Sequence, residues 1–147
     1  MKNKIQIFWL SAFLVLLMSC SIKKQNETSN LLAQLNKINS EYRDLVKGRI
    51  KEISVDTTAK IINIDNNRIP LNNYTAYYDS VYNPEHKRFI HLVTFYCLNK
   101  DTCIINSSRK EKAYGVGFGF KTKSMCLEFI NLVNKLNTSI SSKKFIP

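Results

Sequence analysis

Residues Arg88 to Leu98, RFIHLVTFYCL, constrain the fold more than any other stretch of this chain. Extended, they place Phe89, His91, Val93, Phe95 and Cys97 on one face and Ile90, Leu92, Thr94 and Tyr96 on the other. Both faces are largely apolar. A strand with no polar face belongs in the middle of a sheet.

The neighbouring segments share its period of two. Ile53 and Val55 alternate with polar residues, and Lys60 to Asp65 reads as a strand. Asn66-Asn67 suits a turn with positive φ, and Arg68 to Leu71 returns from it. Pro70 donates no hydrogen bond, so this return is expected to be short or at an edge. Tyr74 to Val81 is the next strand, ended by Asn83-Pro84-Glu85. After Arg88–Leu98, Thr102 to Asn106 is expected to return from it, and Lys112 to Phe120 completes the set.

Helical spacing flanks the strands. Over residues 30–47, Leu31, Leu35, Ile38, Tyr42 and Leu45 recur at intervals of four and three. Ser29 or Asn30 can cap the start and Gly48 the end. At under three heptads the stripe is expected to dock on its own domain rather than on a partner helix. Ser124 to Leu136 carries a second stripe of Met125, Phe129, Leu132, Val133 and Leu136, with Thr122 or Ser124 as cap. The fold class expected is α+β. An N-terminal helix precedes an antiparallel roll or partly open barrel of about six to seven strands in meander order, and a C-terminal helix closes it.

The run YGVGFGFKTKSMCLEFINLVNKL and the hairpin before it, Phe89 to Leu136, resemble the end of a pleckstrin-homology-like domain. There a long final strand runs into one amphipathic helix that plugs an open barrel corner. The resemblance covers about a third of the chain and implies a binding scaffold. The patterned basic loop that such domains use for phosphoinositides is missing, so that ligand does not carry over.

The first twenty residues bear on location. Lys2 and Lys4 precede a mainly apolar run, Ile5 to Met18, broken by Gln6 and Ser11. As a helix it is about 21 Å long, short of a ~30 Å hydrocarbon core. A basic start, a short apolar middle and a small residue before the break form the layout of a secretory signal. Leu17-Met18-Ser19-Cys20 resembles the lipobox of bacterial lipoproteins. The resemblance implies cleavage before Cys20 and acylation of its thiol and new amino group. Ser21, where an Asp would retain the protein at the inner membrane, implies the outer membrane. An ordinary signal with a chance cysteine and an uncleaved anchor are the other two readings. The expected organisation is a signal peptide over 1–19, a lipidated tether over 20–29, one domain over 30–140 and a loose tail over 141–147. The polar tether, Ser21 to Ser29, would reach roughly 15–18 Å as random coil.

The chain has 22 basic and 11 acidic residues; without Lys2 and Lys4 its charge is +9. A basic surface favours anionic neighbours, namely lipid head groups or acidic proteins, and export argues against nucleic acid. The densest basic runs, Arg109-Lys110-Glu111-Lys112 and His86-Lys87-Arg88, read as solvated faces.

Cys20 is assigned to lipid. Cys97 and Cys103 flank Leu-Asn-Lys-Asp-Thr, in which Asn99-Lys100-Asp101 is turn chemistry. A three-residue loop would set the two cysteines opposite each other across a hairpin, ~4.5–5.5 Å apart and within disulfide range. An exported chain meets an oxidising compartment. The closed loop is worth about 2.4 kcal/mol in the chain-entropy account. A metal site would need two more ligands at suitable spacing, and the sequence offers none. Cys126 shares a helix side with Phe129, Val133 and Leu136, which predicts a buried, inert thiol.

No catalytic set emerges. Gly115, Gly117 and Gly119 alternate with large apolar residues, which is strand periodicity rather than a phosphate loop. They predict one bare strand face, where a neighbour approaches closely or the sheet bends. The two histidines are His86 and His91. His91 and Cys97 lie about 20 Å apart on one strand, too far for a dyad. A hydrolase would have to use an acidic site, or Cys126 with His86. Tyr74, Tyr77, Tyr78 and Tyr82 form the candidate binding surface, because tyrosine combines apolar area with a polar tip. Tyr74 and Tyr78 share a strand face and Tyr77 takes the other; half-buried strand packing would explain the same pattern. The function expected is a lipid-anchored binding module of the cell envelope. It would act without cofactor or metal on an envelope protein. The alternative is a periplasmic inhibitor or immunity-type lipoprotein.

Overall fold

The computed structural model describes residues 22, 25–38, 50–85 and 87–141. The apolar N-terminal run, Cys20, residues 39–47 of the forecast first helix, His86 and residues 142–147 lie outside them. The described residues form an α+β fold of two helices and eight antiparallel strands in two sheets, with no closed barrel.

The first helix, α1, covers residues 25–38. It overlaps the forecast span at residues 30–38, where Leu31, Leu35 and Ile38 are buried. Residues 25–29, expected as tether, are helical as well. No glycine or proline interrupts them, so the possible caps at Ser29 and Asn30 do not start the helix. Asn36 Nδ2 donates to the Ile53 carbonyl at 3.4 Å, which sets α1 beside the first strand.

The five-stranded sheet has the order β1-β2-β3-β6-β7. Its strands are β1 (Ile53–Asp56), β2 (Ile61–Ile64), β3 (Asn67–Pro70), β6 (Ile104–Asn106) and β7 (Glu111–Ala113). Ile53 pairs with Ile64, and Ile62 with Ile69, so the isoleucines form one buried layer. The β2–β3 turn sits one residue earlier than the sequence suggests. Asp65 takes the left-handed conformation, φ 52°, and its carboxylate accepts the N–H groups of Lys51 and Glu52. Those bonds offset the cost of the conformation. Pro70 ends β3, which is short but interior.

The three-stranded sheet has the order β4-β5-β8, formed by β4 (Tyr74–Asn83), β5 (Arg88–Cys97) and β8 (Gly115–Phe120). The doubly apolar strand is therefore central. The closing helix α2 (Lys123–Ser141) lies on this sheet. Thr122 Oγ1 accepts the Met125 N–H at 3.4 Å and caps it. Phe129 of α2 meets Phe120 with ring centroids 4.9 Å apart. Side chains of both sheets and both helices share one core.

Three expectations change. The strands are not in meander order, because β3 pairs with β6 and β5 with β8. The stretch Lys112 to Phe120 is not one strand. It bends at Tyr114 and passes from one sheet to the other, which brings the count to eight. Cys97 and Cys103 do not oppose each other across a hairpin. After β5 a 3-10 turn, Leu98–Lys100, with Asn99 at φ 60°, redirects the chain to the other sheet. The sulfurs are 2.10 Å apart and the Cα atoms 5.6 Å, so the disulfide joins the end of one sheet to the entrance of the other.

Candidate functional site

The β4–β5 hairpin is longer than the structure that covers it. The two strands pair over ten residues each, from Tyr74 with Cys97 to Asn83 with Arg88, a ladder of about 30 Å. β8 pairs with β5 only from His91 to Tyr96. Arg88 to Ile90 and Val81 to Asn83 therefore extend past the third strand.

Burial along the inner face follows from that geometry. Near the base, Tyr74, Val93 and Phe95 are buried beneath α2. Tyr74 donates its hydroxyl to the Val133 carbonyl at 3.4 Å, and its ring meets Phe95 edge-on at 5.3 Å. Burial raises its hydroxyl well above the ordinary tyrosine value. Farther along β4 and opposite Val93, Tyr78 is half-buried. Its hydroxyl lies 2.9 Å from His91 Nδ1, and the Lys123 Nζ stands 5.3 Å from its ring centroid. At the far end Tyr82 and Phe89 face each other across the ladder, 5.4 Å apart and T-shaped. They are 52% and 61% exposed. Val81, on the other face beside them, is 50% exposed. No other segment among the described residues presents three neighbouring large side chains this open.

The outer face carries a second aromatic row. Tyr77 lies 6.4 Å from Tyr96, and Tyr96 lies 5.5 Å from Tyr114. The bare face of β8 lies beside this row. A Cβ at Gly115 would stand 2.8 Å from Tyr96 Cδ1, so the glycine makes room for that ring. The close approach expected of the glycine run comes from the neighbouring strand β5, through the Tyr96 ring.

The four tyrosines thus do not form one patch. Tyr74 belongs to the core, Tyr78 to a half-buried pair with His91, Tyr82 to the exposed end and Tyr77 to the outer face. Val81 and Phe89 were missed by sequence reasoning. Their signal is the register: Phe89 lies where the neighbouring strand β8 no longer pairs with β5, past His91, and only the pairing shows that.

Comparison with family models, curated proteins and solved structures found no match.

The titratable groups are scattered. Cys126 is buried and free, and burial pushes its thiol up to about 11. Cys97 is held in the disulfide and His91 by Tyr78, so the two share a strand without meeting. Among the described residues no three His, Cys, Asp or Glu side chains are grouped to hold a metal. Among the same residues no helix is long and apolar enough to cross a membrane.

Proposed function

We propose that this chain is a lipid-anchored binding module of the bacterial envelope that presents the β4–β5 hairpin to its target. The observation that carries the reading is the exposed trio Val81, Tyr82 and Phe89 on a strand pair whose base is locked beneath α2. Contact residues held on a rigid element lose little conformational freedom on binding. The LMSC run ending at Cys20 supports acylation and an outer-membrane location. β8 running directly into α2 supports the pleckstrin-homology-like reading of residues 89–136, although the sheet crossovers depart from a meander. The target is an envelope protein or another component of the envelope surface, and the action is binding rather than catalysis. Cys20→Ala tests the anchor. Wild type should remain with membranes after a high-salt wash and incorporate labelled fatty acid, and the variant should do neither. Wild type that incorporates no labelled fatty acid, or a variant that still incorporates it, would refute lipidation at Cys20.

One observation favours the alternative of a periplasmic inhibitor. A projecting hairpin is a shape that enters an enzyme cleft. A photo-crosslinking residue at position 77 or 89 should then capture one enzyme and abolish its activity.

A further inference from the structure

The end of the hairpin extends past β8, so a partner that yields can close around it. Two aromatic side chains, Tyr82 and Phe89, stand out of the inner face, and Val81 stands out of the outer one. Directly beyond them stand Lys87 in the turn and Arg88 at the start of β5, both exposed. Lys121 and Lys123, also exposed, follow β8, whose last residue Phe120 pairs with His91. Against these four cations stand Asp79 on β4 and Glu85 in the turn. Tyrosine and phenylalanine settle where apolar chains meet head groups, and flanking Lys or Arg side chains reach the phosphates.

We propose that the end of the β4–β5 hairpin inserts into the head-group region of an anionic bilayer. Tyr82 and Phe89 enter the boundary between head groups and acyl chains, about 5–10 Å deep. The pair enters by the inner face, from which both rings stand out, so Lys87 and Arg88 on the turn side and Lys121 and Lys123 on the α2 side meet lipid phosphates to either side of it. The occupant is chosen by charge: four cations against two acids flank the exposed aromatic pair, on a chain whose charge is +9 without Lys2 and Lys4. A neutral or acidic tip of the same shape would instead suit a protein groove. The inference rests on the membrane-side placement argued above, yet it requires no acyl chain at Cys20. With the anchor in place the tip is a second contact, which fixes the orientation of the domain rather than its residence.

The test uses the full chain in vesicles of phosphatidylcholine, with or without phosphatidylglycerol. Trp9→Phe removes the native indole, and Phe89→Trp reports on the tip. Phosphatidylcholine brominated near the head-group end of its acyl chains should quench Phe89→Trp strongly. The quenching should grow with phosphatidylglycerol and weaken with salt. Thr58→Trp, in the exposed β1–β2 turn, should not be quenched. Lys87→Gln with Arg88→Gln should lower the ratio of inserted to free tip by roughly 30-fold. Tyr82→Trp repeats the measurement from the opposite strand, and a circular dichroism spectrum confirms that each variant is folded. Equal quenching at positions 58 and 89, or quenching indifferent to phosphatidylglycerol, would overturn the proposal. A crosslink from position 89 to a protein in cells, with no quenching in vesicles, would also overturn it. Loss of membrane residence in Cys20→Ala with tip quenching intact separates the two readings, because it touches only the anchor.

Discussion

The glycines of β8 make a sharp pair of predictions. Gly115 and Gly117 sit on the same face of one strand, two residues apart, each paired to β5. A Cβ added at Gly115 would lie 2.8 and 3.0 Å from the Tyr96 ring and 3.1 Å from the Phe95 carbonyl oxygen. A Cβ at Gly117 would meet only Thr94 Oγ1, at 3.6 Å, an ordinary contact. Replacing glycine by alanine restricts the unfolded chain and favours folding by about 0.4–1 kcal/mol where the site has room. Overpacking costs about 1–3 kcal/mol, because the Phe95 backbone cannot step aside. Gly115→Ala should therefore lose roughly 1–2 kcal/mol while Gly117→Ala gains a few tenths to about 1. Their difference, about 2 kcal/mol, corresponds to roughly 8 °C in Tm. Guanidinium unfolding of the full chain in mild detergent, followed by circular dichroism, measures it. Adding Tyr96→Ala to Gly115→Ala should recover part of the loss, as a coupling of about 1 kcal/mol. If the two alanine variants differed by less than ~0.5 kcal/mol, packing of Tyr96 on bare backbone would not be the reason for the glycine.

Further outcomes follow from the same geometry. Intact mass should rise by two hydrogen atoms on reduction of the Cys97–Cys103 bridge, and Cys97→Ala with Cys103→Ala should cost about 2.4 kcal/mol. In a Cys20→Ala background, Cys126 should resist alkylation near neutral pH until the protein unfolds, so its labelling rate should track denaturant. Folding raises the Cys126 thiol from its ordinary 9.0 to about 11, so its contribution to stability is complete below pH 9 and is lost as pH rises towards 11. Cys126→Ala should flatten that part of the stability–pH curve, and an unchanged slope would refute the buried-thiol account.

What the sequence revealed was whatever depends on near neighbours. The central place of Arg88–Cys97 was legible because both of its faces are apolar. α2 was legible from its stripe, although it runs on to Ser141 and buries Ile140. The partners of each strand were not legible, because they depend on where turns send the chain. Lys60, Lys87 and Lys110 all take positive φ in turns, and lysine carries no local signal for that conformation. Asn99 does the same after β5 and sends β6 away from the expected hairpin. The bend at Tyr114 was hidden for a related reason. Ala113 is half-buried and Phe118 buried, on opposite parities of one apparent strand, and unbroken alternation was the simpler reading. At the hairpin the tyrosines were visible as residue types. Their separation into core, pair, tip and outer face required the register and the length of β8.

The route of the chain between the sheets governs how it can be made and how it can be cut. It completes β1 to β3 in one sheet, β4 and β5 in the other, returns for β6 and β7, and crosses again for β8. Neither sheet can be finished while the other is unmade, so no half of the domain is a folding unit. β3 and β5 both wait for partners that lie later in the chain, and such long-range pairing folds slowly. A chain that emerges from a membrane before folding must stay unfolded until nearly all of it has arrived. A proteolytic nick inside a β strand should dissolve the whole structure. A nick in the turn between Asn83 and Arg88 should leave it standing, since that turn lies beyond the reach of the third strand.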